Sequence, residues 1–379
     1  MDYLLPVAGW VLGARQPVQS VMISSETGKT LMPVTQPRSE VFKRFGIEFP
    51  WAKRTGFRET LPFFNASGPV ELLLSAKVGD NLVEVGHIKA LVEFQRPAIQ
   101  PHFTPIIVTA LGRSGTTLCM QAIGHHPEVA TTRVYPYETR MAQHFMESLR
   151  GALKFGSIAA LPTQAASYLT RDFVQSAIRY HMNCIDQYYS AVAQANEQPQ
   201  ARYFVEKSLP LQFQGWFHDL YPKTKEIVLV RDFRDMLCSI LSFNAKRGFN
   251  DFSRERFDSD LEYVRHMTGP GHLLLAWKKR QDKVLLVRYE DLVLRDEETL
   301  ARLFEYLEVD TSPSVISEIL TLCRQPSGRL KEHMTSSSRE TSIGRWRRDL
   351  PPELISAAHE VFGDVLVEFG YEVIGDNFA

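Results

Sequence analysis

The apolar run Ile106-Ile-Val-Thr-Ala-Leu111 passes without interruption into Gly112-Arg-Ser-Gly-Thr-Thr117 and then into Leu118-Cys-Met-Gln-Ala-Ile123. A strand, a glycine-bearing turn and an apolar helix in immediate succession leave few architectures open. Further strand-like runs follow at Tyr203 to Glu206, Ile227 to Val230 and Val284 to Val287. They alternate with helical patterns at Thr117 to Ile123, Asp172 to Gln194, Asp235 to Lys246, Glu297 to Tyr306 and Pro352 to Phe369. Strands that each lead into a helix predict parallel βαβ units and a sheet covered on both faces.

The first 96 residues have a different rhythm. Short apolar or alternating runs, Val18 to Ile23, Val70 to Leu74 and Ile88 to Phe94, are separated by turns such as Ser24-Ser-Glu-Thr-Gly28 and Val78-Gly-Asp-Asn81. This pattern predicts a small, all-β, sandwich-like domain. Three prolines, Pro97, Pro101 and Pro105, then fall within nine residues, and proline resists both helix and central strand. The expected division is a β-rich domain over 1–96, a linker over 97–105 and an α/β domain over 106–379. A length of 379 residues suits about two domains. Within the second domain, 327–348 carries three consecutive serines and six basic residues without apolar periodicity, and is expected to be a loop.

Lys and Arg (43) nearly cancel Asp and Glu (44), for a net charge of −1. A broad basic surface for a nucleic-acid backbone is therefore not expected; any anion must be gripped locally. Cys119, Cys184, Cys238 and Cys323 are scattered, with no C-x-x-C pair and no neighbouring His at ligand spacing. Neither a disulfide framework nor a metal site is expected. The start MDYLLPVAGWVLGA carries Asp2 where a leader is basic, and its apolar run is far below the ~20 residues of a spanning helix. These features predict a soluble, reduced, cytoplasmic protein with no transmembrane segment.

The turn at 112–117 has the composition of an anion cradle. Gly112 and Gly115 let the backbone approach closely, Arg113 adds a charged fork, and Thr116 and Thr117 add hydroxyls at the positive end of a helix. In the nucleoside-triphosphate pattern G-x-x-x-x-G-K-[ST], Ala110 would take the first glycine position and Thr116 the lysine position. The lysine that reaches a β/γ-phosphate is thus missing, which weakens a kinase reading. A second cationic element follows at Arg231, where the strand Lys225 to Val230 ends and a helix carrying Ser239 begins. Arg231 and Ser239 can converge on one phosphate, or Arg231 can instead pair with Asp232 or Asp235.

Taken in order, Thr109-Ala-Leu-Gly-Arg-Ser-Gly-Thr-Thr117, the Arg231 and Ser239 element, Val287-Arg-Tyr-Glu-Asp-Leu292 and Ser342-Ile-Gly-Arg-Trp-Arg347 resemble successive signatures of the sulfotransferase family, over roughly Phe103 to Val373. That family uses 3′-phosphoadenosine 5′-phosphosulfate and releases 3′-phosphoadenosine 5′-phosphate. The resemblance implies a P-loop-like turn, Arg113, Ser114, Gly115, Thr116 and Thr117, around the 5′-phosphosulfate. It places Arg231 and Ser239 at the 3′-phosphate, Tyr289 at the adenine-ribose end and Arg345 toward the 3′-phosphate from a closing loop. No metal is implied. Lys207, in Phe204-Val-Glu-Lys-Ser-Leu-Pro210, stands where relatives place a lysine on the bridging oxygen; its bland alternative is a pair with Glu206.

The base is less direct. Small-molecule enzymes of the family carry a His two residues beyond that lysine, where this chain has Leu209. The segment Thr131 to Arg140 instead resembles the protein-tyrosine and carbohydrate branch, which implies Glu138 as base, with Lys207 and Arg113 completing the catalytic set. Glu138 can alternatively pair with Arg133 or Arg140. His125 and His126 precede Pro127 at an expected helix end and, like His218, have no motif behind them. The partner is then a hydroxyl-bearing acceptor, a carbohydrate, phenol or tyrosine, or small metabolite, with Tyr135, Tyr137 and the helical insert Ala142 to Gln194 walling its cleft. A nucleotide kinase and a non-catalytic nucleotide-binding module are the competing readings. Gly9-Trp-Val, Arg38-Ser-Glu-Val and Gly56 to Pro62 resemble a small β-domain found beside some bacterial transferases.

Overall fold

The computed structural model describes residues 3–25, 28–63, 68–92, 99–154, 171–209, 215–267, 271–275, 284–325 and 334–373. The chain divides into two compact units: Met1–Ala98, Lys154–Arg171 and Phe213–Pro222 form the first, and Ile99–Leu153, Asp172–Gln212 and Lys223–Ala379 the second.

In the first unit, β1 (Tyr3–Trp10), β2 (Ser20–Ser25), β3 (Gly28–Pro33), β4 (Gln36–Pro37), β5 (Arg54–Phe63), β6 (Gly68–Val78) and β7 (Asn81–Val92) form two antiparallel sheets, ordered β1-β5-β4 and β3-β2-β6-β7. Period-two patterning explains the layering. Val21 and Ile23 alternate inward from β2 and join Val7, Met32, Phe57, Leu72 and Ala76 in one buried cluster drawn from both sheets. The sandwich-like expectation holds. The β6–β7 hairpin closes on Gly79-Asp80, with Gly79 at φ +60°. Gly9 faces Phe57 across β1 and β5, and a Cβ there would stand 2.8 Å from the ring. Ser39–Phe45, within the expected β region, is a helix.

The second unit holds a five-stranded parallel sheet of β8 (Thr104–Thr109), β9 (Val129–Ala130), β10 (Tyr203–Ser208), β11 (Lys225–Val230) and β12 (Val284–Arg288), in the order β12-β11-β8-β10-β9. Strand β8 begins at Thr104 and includes Pro105, two residues before the expected 106. Proline is tolerated at the start of a strand, where its missing N–H breaks little of the ladder. The alternation within β11 shows how the sheet is covered. Ile227 and Leu229 pack with the helices Thr116–Gly124, Asp296–Leu307 and Pro313–Arg324. Val228 and Val230 pack on the other side with Phe233–Arg247, Asp260–His266 and Pro352–Glu368.

From β8 the chain goes to β9 and β10 on one side and then returns to β11 on the other. Such a reversal opens a crevice beyond the carboxyl ends of the strands, where ligands of open α/β sheets bind. Among the described residues no helix is long and apolar enough to cross a membrane, and all four cysteines are free.

Leu303 is fully buried beneath this sheet. Leu303→Ala should lower the unfolding free energy by about 2–5 kcal/mol in equilibrium denaturation; a loss well under 1 would mean that the helix Asp296–Leu307 is not part of the core.

Candidate active site

Three of the four signature segments leave the sheet at its carboxyl end, and their side chains meet Lys207, and Ser342 of the fourth, in one cavity of about 280 Å³. It is lined by Arg113, Gly115, Thr116 and Thr117 after β8, Lys207 on β10, Arg231 and Ser239 after β11, and Tyr289 after β12. Glu138 and Tyr135 complete one wall, and Thr335, Ser336, Arg339 and Ser342 another.

The turn after β8 requires its second glycine. Gly115 lies at φ +90°, and a Cβ there would stand 2.2 Å from the Tyr289 ring, so no larger residue fits. Arg113 is also left-handed, at φ 67°. Its Nε donates to Ser239 Oγ at 3.0 Å and its guanidinium lies 4.5 Å above the Phe243 ring. Arg231 crosses toward the same turn. Its two terminal nitrogens donate to the carbonyls of Arg113 (3.2 Å) and Ser342 (2.7 Å), its plane stacks 4.5 Å from Tyr289, and its Nε is buried without a partner among the described residues. Neither acid weighed from the sequence takes it. Arg234 occupies Asp232 with two hydrogen bonds (2.9 and 2.7 Å), while Asp235 accepts the backbone N–H of Gly344 (2.6 Å) and of Trp346 (2.9 Å).

Lys207 lies within β10 rather than past its end. Strand alternation sends adjacent side chains to opposite faces, which excludes the expected Glu206 alternative. Glu206 instead accepts from Ala142 N (2.6 Å), Gln143 N (3.3 Å) and the Tyr189 hydroxyl, while Lys207 Nζ donates to Glu138 Oε1 at 2.8 Å. Thr116 Oγ donates to the same oxygen at 2.9 Å. Glu138 therefore pairs with neither Arg133 nor Arg140.

The electrostatics are those of a site short of negative charge. Four cationic residues but one carboxylate stand among the described lining residues. Burial, with Arg231 adding to it, pushes the Arg113 guanidinium down to about 10. Burial also lowers Lys207, against the pull of Glu138. An anion entering the cavity would relieve both.

Three of the expected residues are not brought to the cavity: Tyr137, which is buried in the core cluster with Cys119 and Val129, Ser114 and Arg345. Ser114 is buried, its hydroxyl toward the Met236 sulfur at 3.7 Å. Arg345 is also buried, and Asp349 (2.6 Å), the Thr335 carbonyl (2.8 Å) and Ser242 (3.0 Å) take up its donors. Among its described residues, the basic side chain that the late segment does present is Arg339, which donates to the Cys323 carbonyl at 2.9 Å. Phe252 was also not singled out. It sits at φ 59° in a loop, and a Cβ on Gly112 would meet its ring at 2.8 Å; the small residue at 112 is the one sequence sign of it. His126 is structural: its ring meets the Asp310 carbonyl at 3.0 Å and accepts from Glu128 N.

Residues 105–313, more than half of the chain, match the Sulfotransferase family, and the chain belongs to that family. It is 23% identical over 277 residues to the protein-tyrosine sulfotransferase of Drosophila melanogaster, covering 70% of this chain and 51% of that one. The chain thus spans about half the length of this curated relative. Among solved structures, the sulfotransferase domain from the curacin biosynthetic pathway is 16% identical, with TM-score 0.42, covering 73% of this chain and 100% of that one. Mouse sulfotransferase SULT7A1 complexed with PAP is 11% identical, with TM-score 0.41, covering 70% and 85%.

The buried acid beside Lys207 yields a pH test. Burial holds the Glu206 carboxyl up at about 7, against ~4.3 in an unfolded chain. Between those values the folded chain keeps a proton that the unfolded chain has released. This group's contribution is therefore fully present below the unfolded value and is lost as pH rises through 7. Against wild type, the unfolding free energy of Glu206→Gln should drift by up to ~1.4 kcal/mol per pH unit between pH 5 and 7. Parallel denaturation curves for the two proteins would refute this.

Proposed function

We propose that the protein is a sulfotransferase that moves a sulfuryl group from 3′-phosphoadenosine 5′-phosphosulfate to a hydroxyl of a carbohydrate, phenol or tyrosine, or small-metabolite acceptor. The observation that carries this reading is the Lys207–Glu138 contact at 2.8 Å in the wall of a cavity that also presents Arg113 and Arg231. A cation for the leaving oxygen and a base for the acceptor are the two groups that in-line transfer needs.

The residues present fit the donor. It has two anionic ends, and the cavity offers cationic and hydroxyl donors from two strand ends: Arg113 with Thr117 after β8, and Arg231 with Ser239 after β11, the two sets meeting where Arg113 donates to Ser239. The unpartnered Arg231 Nε marks donor capacity that the protein alone does not use. Tyr289, 4.5 Å from the Arg231 guanidinium carbon and hydrogen-bonded to Ser342 at 3.1 Å, adds a flat ring to the cavity lining. When bound, the donor supplies an activated sulfuryl group: the acceptor oxygen bonds to sulfur as the bridging S–O bond breaks, its electron pair leaving with the phosphate and the acceptor proton going to the base.

Glu138 takes that proton. Lys207 neutralises the departing charge, and Arg113 and the first N–H groups of the helix hold the group being transferred. Most of the acceleration then comes from positioning and electrostatics, as in phosphoryl transfer.

Incubation with labelled donor, a hydroxyl panel and a metabolite extract, followed by identification of the labelled product, tests the activity directly; no labelled product would argue against transfer. Lys207→Ala and Glu138→Gln should each lower turnover by more than about tenfold with donor affinity held within a few-fold. Wild-type turnover in either would remove that residue from the chemistry. Arg231→Ala should instead weaken donor binding and erase the preference over a 3′-dephosphorylated analogue.

A further inference from the structure

The two threonines of the anion turn differ in their commitments. Thr117 lines the cavity, and its hydroxyl makes no hydrogen bond among the described residues. The Thr116 hydroxyl, buried and one residue earlier, is spent on Glu138 Oε1. That oxygen also receives Lys207 Nζ, at 2.8 Å. No hydrogen bond reaches Oε2 among the described residues. One carboxylate is thus split, with one oxygen clamped by two donors and the other open.

We infer that Thr116 is a positioning residue for the base: its hydroxyl clamps Glu138 Oε1 so that Oε2 accepts the acceptor's proton. This rests on the reading of Glu138 as base given above.

A hydroxyl has a single hydrogen to donate. Given to Glu138, it is not available to a bound anion, and the anion is left to the Thr117 hydroxyl, to Arg113 and to the backbone N–H groups of the first helical turn, which have no intrahelical partner. The lysine cannot do the clamping alone. Its role in transfer draws it toward the leaving oxygen, and as that contact strengthens the one to Glu138 weakens. Thr116 is then the donor that remains on Oε1, at the moment when the direction of Oε2 matters most. The position at which nucleotide-hydrolysing loops carry a phosphate-binding lysine serves the base instead.

Thr116→Val removes the hydroxyl and nearly conserves volume, Thr116→Ala removes it with less bulk in case valine disturbs folding, and Thr116→Ser keeps it. Turnover, donor KM, calorimetric affinity for 3′-phosphoadenosine 5′-phosphate and melting temperature would be measured for each. The valine and alanine variants should lose about tenfold or more in kcat, with affinity for the bisphosphate within about threefold of wild type. The serine variant should recover most of the rate. Added to Glu138→Gln, Thr116→Val should cost little further, since both act through one group. A tenfold loss of bisphosphate affinity with kcat retained would give the hydroxyl to the anion and overturn the inference. So would wild-type kcat in both hydroxyl-free variants. If Glu138→Gln alone turned over normally, the base assignment itself would fall, and with it the role of Thr116.

Discussion

Two guanidinium groups and an ammonium gathered where little water reaches them are the constraint on which this α/β unit is built. Arg113, Arg231 and Lys207 issue from or follow three neighbouring parallel strands, and burial weakens the hold of Arg113 and Lys207 on their protons. Such a cluster disfavours the protein's own stability. The structure limits the cost by directing donors from all three groups onto fixed oxygens: the carbonyls of Arg113 and Ser342, the Ser239 hydroxyl and Glu138 Oε1. What remains uncompensated, the surplus of positive charge and the orphaned Arg231 Nε, is what a doubly anionic ligand would complete. Pre-set donors of this kind need no rearrangement as charge develops, which is the source of electrostatic catalysis.

The strand–turn–helix at 106–123 was legible because its information is local. Period-two and helical patterns lie side by side, and the glycine at 115 is demanded by a backbone angle and by Tyr289. The contact of Arg113 with Ser239 was not legible, since the sequence set Ser239 with Arg231 and Arg113 at the other end of the nucleotide; what the parallel strands did imply is that all three reach one side of the sheet. The residues that meet across the cavity were harder to pair. Glu138 had Arg133 and Arg140 as sequence neighbours, yet its partners come from 22 and 69 positions away. Only the fold sets such distances. Glu206 and Lys207 show the opposite case, in which the strand's alternation alone already separates them.

The late segment marks where sequence reasoning had least to hold. Without periodicity, nothing in 334–348 says which arginine faces inward. The structure turns Arg345 to Asp349 and the Thr335 carbonyl and leaves Arg339 on the cavity wall. The reason lies in backbone anchoring rather than in charge. Gly344, at φ +69°, and Trp346 aim their N–H groups at one carboxylate, and the chain direction that this imposes carries the side chain at 345 away.

That carboxylate, Asp235, belongs to the segment that also supplies Arg231, and the four polar residues of Arg231-Asp-Phe-Arg-Asp235 divide distinct tasks between them. Arg231 reaches the cavity. Asp232 caps the helix Phe233–Arg247 through Arg234 N and holds the Arg234 guanidinium, which in turn lies 4.0 Å from the Trp346 ring. Asp235 fixes the late segment by its backbone, and burial raises its carboxyl to about 6, so near neutral pH it accepts both N–H groups as an anion despite the desolvation. One strand end thereby sets both a cavity arginine and the position of Ser342, whose carbonyl that same arginine uses. Because the two are joined through one rigid turn, a change at Asp235 must disturb Arg231 from two directions at once, from its own backbone and from the carbonyl that holds it.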